Sequence, residues 1–142
     1  EFGVQLKQHN TDYLSTEILS WHPLLGIHAA NVAPEYGVVE TLTLLQVLES
    51  RGLDELAERF LQLAYDTRKW EKWMIEGTTT SDRDRSIIAG HYAFSMPEVR
   101  EIKDEVDQVL GRTAETTVDE LLQTAIRASL MRYLTAFRLV NA

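Results

Sequence analysis

The sequence of 142 residues contains no cysteine and no long apolar run. Without cysteine the chain can form neither disulfides nor thiolate metal sites, a composition that fits a reducing cytoplasm. No stretch approaches the roughly 18 apolar residues that a transmembrane helix requires, and no basic start leads into a hydrophobic signal core. We therefore expect a soluble, cytoplasmic protein that makes no contact with a membrane.

Basic residues are also few, with 14 Lys and Arg against 22 Asp and Glu and a formal net charge of −8. Nucleic-acid binding depends on clustered Lys and Arg at the phosphates. The densest basic cluster here is Arg83 with Arg85, and acidic residues flank it. The composition argues against a nucleic-acid partner but leaves room for a small anionic ligand.

Apolar residues make up 44% of the chain, enough for a domain with a buried core. Two short apolar runs, residues 2–6 and 24–29, have the length and composition of strands. A short helix capped by Ser15 is predicted between them, ending before Pro23. A second helix is predicted from Pro34 to Ser50, where apolar residues recur with a 3.6-residue period.

From residue 53 onward the pattern predicts only helices. Their expected starts are Asp54, Ser81, Pro97 and Thr117, and Thr117 with Glu120 forms a capping box. Strands that alternate with helices predict a parallel sheet, yet two strands alone rarely form a stable one. We therefore predict an α/β barrel fragment. Residues 1–52 would be the last βα units of a TIM-type barrel whose other strands precede this sequence, and residues 53–142 a mostly helical C-terminal region.

Polar residues follow each predicted strand. In α/β folds, ligands bind at the carboxyl ends of the strands. We therefore predict catalytic roles for His9, Asp12 and His28, and substrate contacts for Asn10 and Asn31. The alternative for the first cluster is a solvated loop whose Asn and Asp residues form turns, and for His28 a satisfied interior histidine.

A divalent metal such as zinc or manganese is a further expectation, since imidazole and carboxylate groups suit both ions. His9 and His28 would bind it together with Asp12 or Glu35, although the sequence lacks a local ligand spacing such as H-x-x-x-H. The identity of the metal is left open. His22, beside Pro23, is expected to be exposed and without a function.

A third cluster contains Ser81, Arg83 and Arg85 at a predicted helix start. Free backbone N–H groups at such a terminus attract anions, and guanidinium groups bind phosphate with two hydrogen bonds. These three residues are predicted to bind a substrate phosphate. The alternative is a capped helix whose arginines pair with Asp82 and Asp84 in solvent.

The three clusters, in this order, resemble a known family. The string LKQHNTDY at residues 6–13 is similar to the strand and H-S-T-D-Y-type motif of the accessory, non-catalytic subunits of class II tagatose-bisphosphate aldolase, whose members also carry the label tagatose-6-phosphate kinase. The W-x-K-W element at residues 70–73 and the S-D-R-x-R element at residues 81–85 extend the resemblance, which covers residues 2–110.

The resemblance implies a barrel protein of carbohydrate metabolism that binds a phosphorylated ketose. It would act as an accessory subunit of a class II tagatose-bisphosphate aldolase, with the catalytic subunit as partner, or as a related sugar isomerase or epimerase. The alternative is a small all-helical protein-interaction module without an active site. Because the two predicted strands have open edges, we also expect a homo-oligomer.

Overall fold

The computed structural model describes residues 3–77, 79–111 and 116–140. Two strands, six α-helices and two short 3-10 helices follow one another along this part of the chain. They are β1 (Leu6–Gln8), α1 (Thr16–Ser20), β2 (Ile27–Ala30), α2 (Pro34–Ser50), α3 (Asp54–Asp66), a 3-10 helix (Glu71–Trp73), α4 (Asp82–Ala89), a 3-10 helix (Gly90–Tyr92), α5 (Pro97–Leu110) and α6 (Val118–Ala136).

Local signals in the sequence fix several helix starts. Ser15 caps α1 by accepting the N–H of Ile18 on its hydroxyl at 3.2 Å. At α6, Thr117 accepts the N–H of Glu120 at 3.3 Å, and the carboxylate of Glu120 accepts the N–H of Thr117 at 2.9 Å. This reciprocal pair is the predicted capping box.

The sheet consists of β1 and β2 alone among the described residues, and the two strands are parallel. Leu6 pairs with Ile27 and Gln8 with Ala30, with an irregularity after Leu6. Two strands and the helices after residue 53 are thus present, but the strands lie later than predicted. β1 shares only Leu6 with the predicted run 2–6, and β2 begins at Ile27 rather than at residue 24. The predicted barrel fragment is wrong, because helices make up 62% of the described residues and only these two short strands form a sheet.

The chain divides into two compact units, and the divisions fall within α2 and α6. Unit 1 comprises Glu1–Tyr36 and Ile126–Ala142. Its core is small. It is formed by the buried residues Leu19, Tyr133 and Ala136 and the partly buried Leu14, Val32, Tyr36 and Phe137.

Unit 2 comprises Gly37–Ala125 and holds the larger core. Helices α3 and α5 are amphipathic, and each turns a stripe of apolar residues at spacings of three and four inward. Phe60 on α3 and Ile102 on α5 are fully buried there. The helices of this unit therefore bury their apolar faces without the help of a sheet.

Two glycines of unit 2 allow segments of the chain to approach each other closely. A Cβ atom on Gly90 would lie 2.2 Å from Thr41 Oγ1, and one on Gly37 would lie 2.6 Å from His91 Cγ. Both distances are far inside van der Waals contact. Glycine is therefore required at both positions by packing.

None of the helices in the described ranges has both the length and the apolar character needed to cross a membrane.

Candidate functional site

The segment that follows β1, residues 9–13, is called the strand-end loop. Its position is fixed by backbone hydrogen bonds to the end of β2. Asn31 donates its N–H to the carbonyl of Gln8 at 3.1 Å, and Thr11 donates its N–H to the carbonyl of Asn31 at 3.0 Å. Thr11 is fully buried. The loop therefore continues the pairing of the two strands beyond the sheet.

Asp12 connects this loop to the start of α2. Its Oδ1 atom accepts two backbone N–H groups, those of Ala33 and Glu35, each at 3.0 Å. Amide groups at a helix start have no partner within the helix and are stabilised by such an acceptor. Asp12, predicted as a catalytic residue, thus serves as a cap contributed from a distant part of the chain.

The strand-end loop has an unusual backbone. Asn10 and Tyr13 have φ angles of 55° and 64°, in the left-handed region. Asn tolerates this region, whereas for a tyrosine it costs about 1–2 kcal/mol. The N–H of Tyr13 donates to Glu35 Oε2 at 2.5 Å, which helps to offset the strain. Strained residues held in this way are common at ligand sites.

Glu35 lies at the centre of a polar network with Arg132 and Tyr133, called the Glu35 network. One carboxylate oxygen accepts from the guanidinium of Arg132, and the other accepts from the hydroxyl of Tyr133 and the N–H of Tyr13. Arg132 also donates to the carbonyl of Leu14 at 2.7 Å. Glu35 is 8% exposed and Tyr133 2%. The network therefore ties the strand-end loop to α6 inside unit 1.

Burial and hydrogen bonding act in opposite directions on the pKa of Glu35. Burial raises the pKa, but the hydrogen bonds from Tyr133, Tyr13 and Arg132 and the charge of Arg132 outweigh it, so that the pKa is lowered. For Tyr133, burial and the neighbouring Glu35 carboxylate raise the pKa. Glu35 is therefore ionised and Tyr133 protonated at neutral pH.

His9 and Asn31 come together at the exposed end of the sheet. The side-chain amide nitrogen of Asn31 lies 3.2 Å from His9 Nδ1. Because an amide nitrogen only donates, His9 Nδ1 is the acceptor in this contact. Asn10, which follows His9 along the loop, is exposed as well. His9 and Asn31 thus form a small polar surface at this end of the sheet.

His28 is not part of that surface. Its Nδ1 atom accepts the N–H of Leu6 at 3.2 Å, at the start of β1 rather than at its end. His28 precedes Asn31 by three residues along the chain, on the order of 10 Å at about 3.3 Å per strand residue. No group of three His, Cys, Asp or Glu residues able to hold a metal occurs among the described residues. The predicted metal ion and catalytic roles stay predictions.

Ser81, Arg83 and Arg85 lie in unit 2, at α4. Ser81 caps this helix, accepting the N–H of Asp84 at 3.1 Å. Arg83 donates to Glu49 at 2.5 Å and Arg85 to Asp82 at 2.8 Å. Both guanidinium groups therefore have a carboxylate partner, for which a phosphate would have to compete.

An apolar cleft of about 500 Å³ opens elsewhere in unit 1. All four residues of β2 line it, facing Leu130, Leu134, Phe137 and Leu139 from the C-terminal part of the chain. Its volume lies in the range of small-molecule sites. His22, expected to be exposed, is buried beside the cleft with its ring centroid 5.3 Å from that of Phe137.

Comparison with known proteins identifies no relative: no protein-family model, no curated protein and no solved structure matches the chain.

Proposed function

We propose that the chain binds a phosphorylated sugar at the strand-end loop and acts in the cytoplasm as an accessory subunit of a class II tagatose-bisphosphate aldolase. The observation that carries this proposal is the strained loop that presents His9 and Asn10 at the end of β1, with Asn31, at the end of β2, hydrogen-bonded to His9. Donors and acceptors fixed in this way suit the hydroxyl groups of a sugar. The H-x-T-D-Y string that supplies the loop is the one that resembles the aldolase subunits.

An accessory role is favoured over turnover by the contacts of the residues predicted to be catalytic. One carboxylate oxygen of Asp12 is occupied by two backbone N–H groups. His28 accepts a backbone N–H at the far end of the sheet from His9. General acid and base groups must reach the same substrate atoms within hydrogen-bond distance. Binding requires only the polar surface at the strand ends.

The test is calorimetric titration of the full chain with tagatose 6-phosphate, and with tagatose as the ligand without phosphate. Asn31→Ala removes one neutral hydrogen-bonding group, worth about 1 kcal/mol, so we expect about five- to tenfold weaker binding of both ligands. Gln108→Ala, an exposed change on α5, serves as the control and should bind like the wild type. The proposal would be contradicted if the wild type released or absorbed no binding heat with both sugars. Equal affinity of Asn31→Ala and the wild type would contradict it as well.

The predicted phosphate binding by Arg83 and Arg85, at α4 of unit 2, is a separate prediction and is tested with Arg83→Ala and Arg85→Ala in a titration with the same two ligands. Loss of a charge-assisted hydrogen bond weakens binding by about ten- to a hundredfold. The effect should appear with tagatose 6-phosphate and be absent with tagatose. If both variants bind the two sugars like the wild type, the arginines serve only their ion pairs with Glu49 and Asp82.

A further inference from the structure

The apolar cleft of about 500 Å³ lies entirely within unit 1. Strand β2 forms one wall, and the other wall comes from α6 and the residues that follow it, with Leu130, Leu134, Phe137 and Leu139. Small-molecule sites in proteins have volumes of roughly 300–1,000 Å³. The described residues that line the cleft include none of the strand-end loop, so the cleft is a separate candidate site.

The walls of the cleft are uncharged apart from histidine. None of the described residues that line it is Asp, Glu, Lys or Arg, and its polar side chains are two histidines and two tyrosines. A charged ligand would lose its hydration there without gaining an opposite charge. The cleft therefore suits an uncharged molecule that is apolar over most of its surface.

Four aromatic side chains of the cleft, called the aromatic wall, pack against one another in sequence: His22, Phe137, Tyr133 and Tyr36. The ring centroids lie 5.3 Å apart for the first pair and 6.1 Å apart for each of the other two. Aromatic pairs at such separations are favourable in tilted and edge-to-face arrangements. A ligand with a ring system would gain contacts of the same kind.

His22 has one ring nitrogen with a partner and one without. The residue is 4% exposed, and its Nδ1 atom lies 3.3 Å from the carbonyl oxygen of Ile18. Because a carbonyl oxygen only accepts, Nδ1 is the donor in this contact, and Nε2 of the neutral ring is left as an acceptor. Nε2 is buried and has no hydrogen-bond partner within the described ranges. Nearly all buried polar atoms have a partner, so this exception marks an atom that a donor from outside the chain can satisfy.

The two ring nitrogens of His22 point in different directions. Nδ1 is turned to Ile18 on α1, so Nε2 is on the side of the ring away from that helix. Bulk water does not reach Nε2, and a buried acceptor without a partner is unfavourable. A ligand hydroxyl reaches it through a shift of a side chain in the cleft wall, a change that is common on binding.

We propose that the cleft binds an uncharged aromatic alcohol, whose hydroxyl group donates to His22 Nε2 and whose rings pack against the aromatic wall. The hydroxyl satisfies the buried acceptor, and the rings remove the apolar side chains of β2 and α6 from water. A sugar would instead bury many hydroxyl groups against apolar side chains that offer them no partner. The cleft thus takes a class of ligand different from that of the strand-end loop.

Fluorescence titration of the full chain with 2-naphthol and 2-methoxynaphthalene tests the hydroxyl contact. The two ligands have the same rings, and only 2-naphthol can donate a hydrogen bond. The measured quantity is the ratio of their dissociation constants, in the wild type and in His22→Phe, which keeps a ring beside Phe137 and removes the acceptor. We expect the preference for 2-naphthol to be about five- to tenfold smaller in the variant, because one neutral hydrogen bond is lost.

A second variant, Ala30→Trp, tests the location without changing His22. Ala30 is a partly buried residue of the cleft, so a tryptophan there occupies part of its volume and should weaken the binding of both ligands by about tenfold or more. Ala128→Trp, at an exposed position of α6 outside the cleft, is the matched control and should bind like the wild type. Absence of saturable 2-naphthol binding by the wild type, an unchanged preference in His22→Phe, or equal affinities of Ala30→Trp and Ala128→Trp would each overturn the proposal.

Discussion

Replacement of Glu35 by alanine is expected to lower the free energy of unfolding by about 3 kcal/mol. The change leaves the guanidinium of Arg132 and the buried hydroxyl of Tyr133 without their carboxylate. Removing one member of a partly buried ion pair costs more than the pair contributes, because the other charge stays partly desolvated. The strained backbone of Tyr13 loses its acceptor at the same time.

Urea denaturation followed by circular dichroism measures this effect at pH 7. Glu17→Ala, which removes an exposed glutamate from α1 of the same unit, is the control and should cost less than about 1 kcal/mol. A loss for Glu35→Ala as small as that of the control would mean that the Glu35 network contributes nothing to stability.

The lowered pKa of Glu35 makes the same contribution dependent on pH. A carboxyl group with a depressed pKa in the folded state stabilises fully above its unfolded pKa, about 4.3, and the stabilisation is lost as the pH falls through the folded pKa. The free energy of unfolding of the wild type should therefore fall relative to that of Glu35→Gln between pH 5 and pH 2. The loss should be roughly 1 kcal/mol for each unit by which folding lowers the pKa of Glu35. A difference between the two proteins that stays constant over this range would contradict the assignment.

Replacement of Gly90 by alanine is expected to destabilise unit 2 by about 2–3 kcal/mol. The new methyl group would overlap Thr41, which is fully buried and whose hydroxyl donates to the carbonyl of Gly37 at 2.9 Å. Overpacking of this kind forces side chains or backbone to shift. Thermal unfolding of the single variant measures the loss.

The double variant Gly90→Ala/Thr41→Ala is the decisive comparison. Thr41→Ala removes both side-chain atoms nearest to the new methyl group, so the two losses should be less than additive by at least about 0.5 kcal/mol. If the losses add, the cost of Gly90→Ala comes from the backbone and not from contact with Thr41.

Local signals in the sequence were sufficient for several helix starts. The caps at Ser15, Ser81 and Thr117 act within three residues, and each lies where the sequence predicted it. The two strands were located only approximately. β1 includes Lys7 and Gln8, which were predicted to follow the strand, and β2 begins three residues after the start of the predicted run. Such signals depend on neighbouring residues alone and survive in any tertiary context.

The fold class required more than local signals. Parallel strands joined by a helix are typical of barrels, but the same unit also occurs where helices provide most of the core. In unit 2, residues such as Phe60 and Ile102 bury helix against helix. Periodicity shows that a face is apolar and does not show which element covers it. The barrel prediction went wrong at this step.

The Glu35 network could not be found from the sequence. Glu35 is separated from Arg132 by 97 residues and from Tyr133 by 98, so no local pattern joins them. Asp12 looked like a catalytic carboxylate because a cap 21 residues from its partner Ala33 leaves no local pattern. His9 and Asn31 lie close together, since each follows one strand of a parallel pair.

Titration of the ¹⁵N-labelled chain with tagatose 6-phosphate shows whether the strand-end loop binds a phosphorylated sugar. We expect concentration-dependent shifts at the backbone amides of His9 and Asn10 and at the side-chain amide of Asn31. The amide of Gln108, on the exposed face of α5, should not move. Saturating ligand without shifts at the loop, or shifts confined to other residues, would contradict the account.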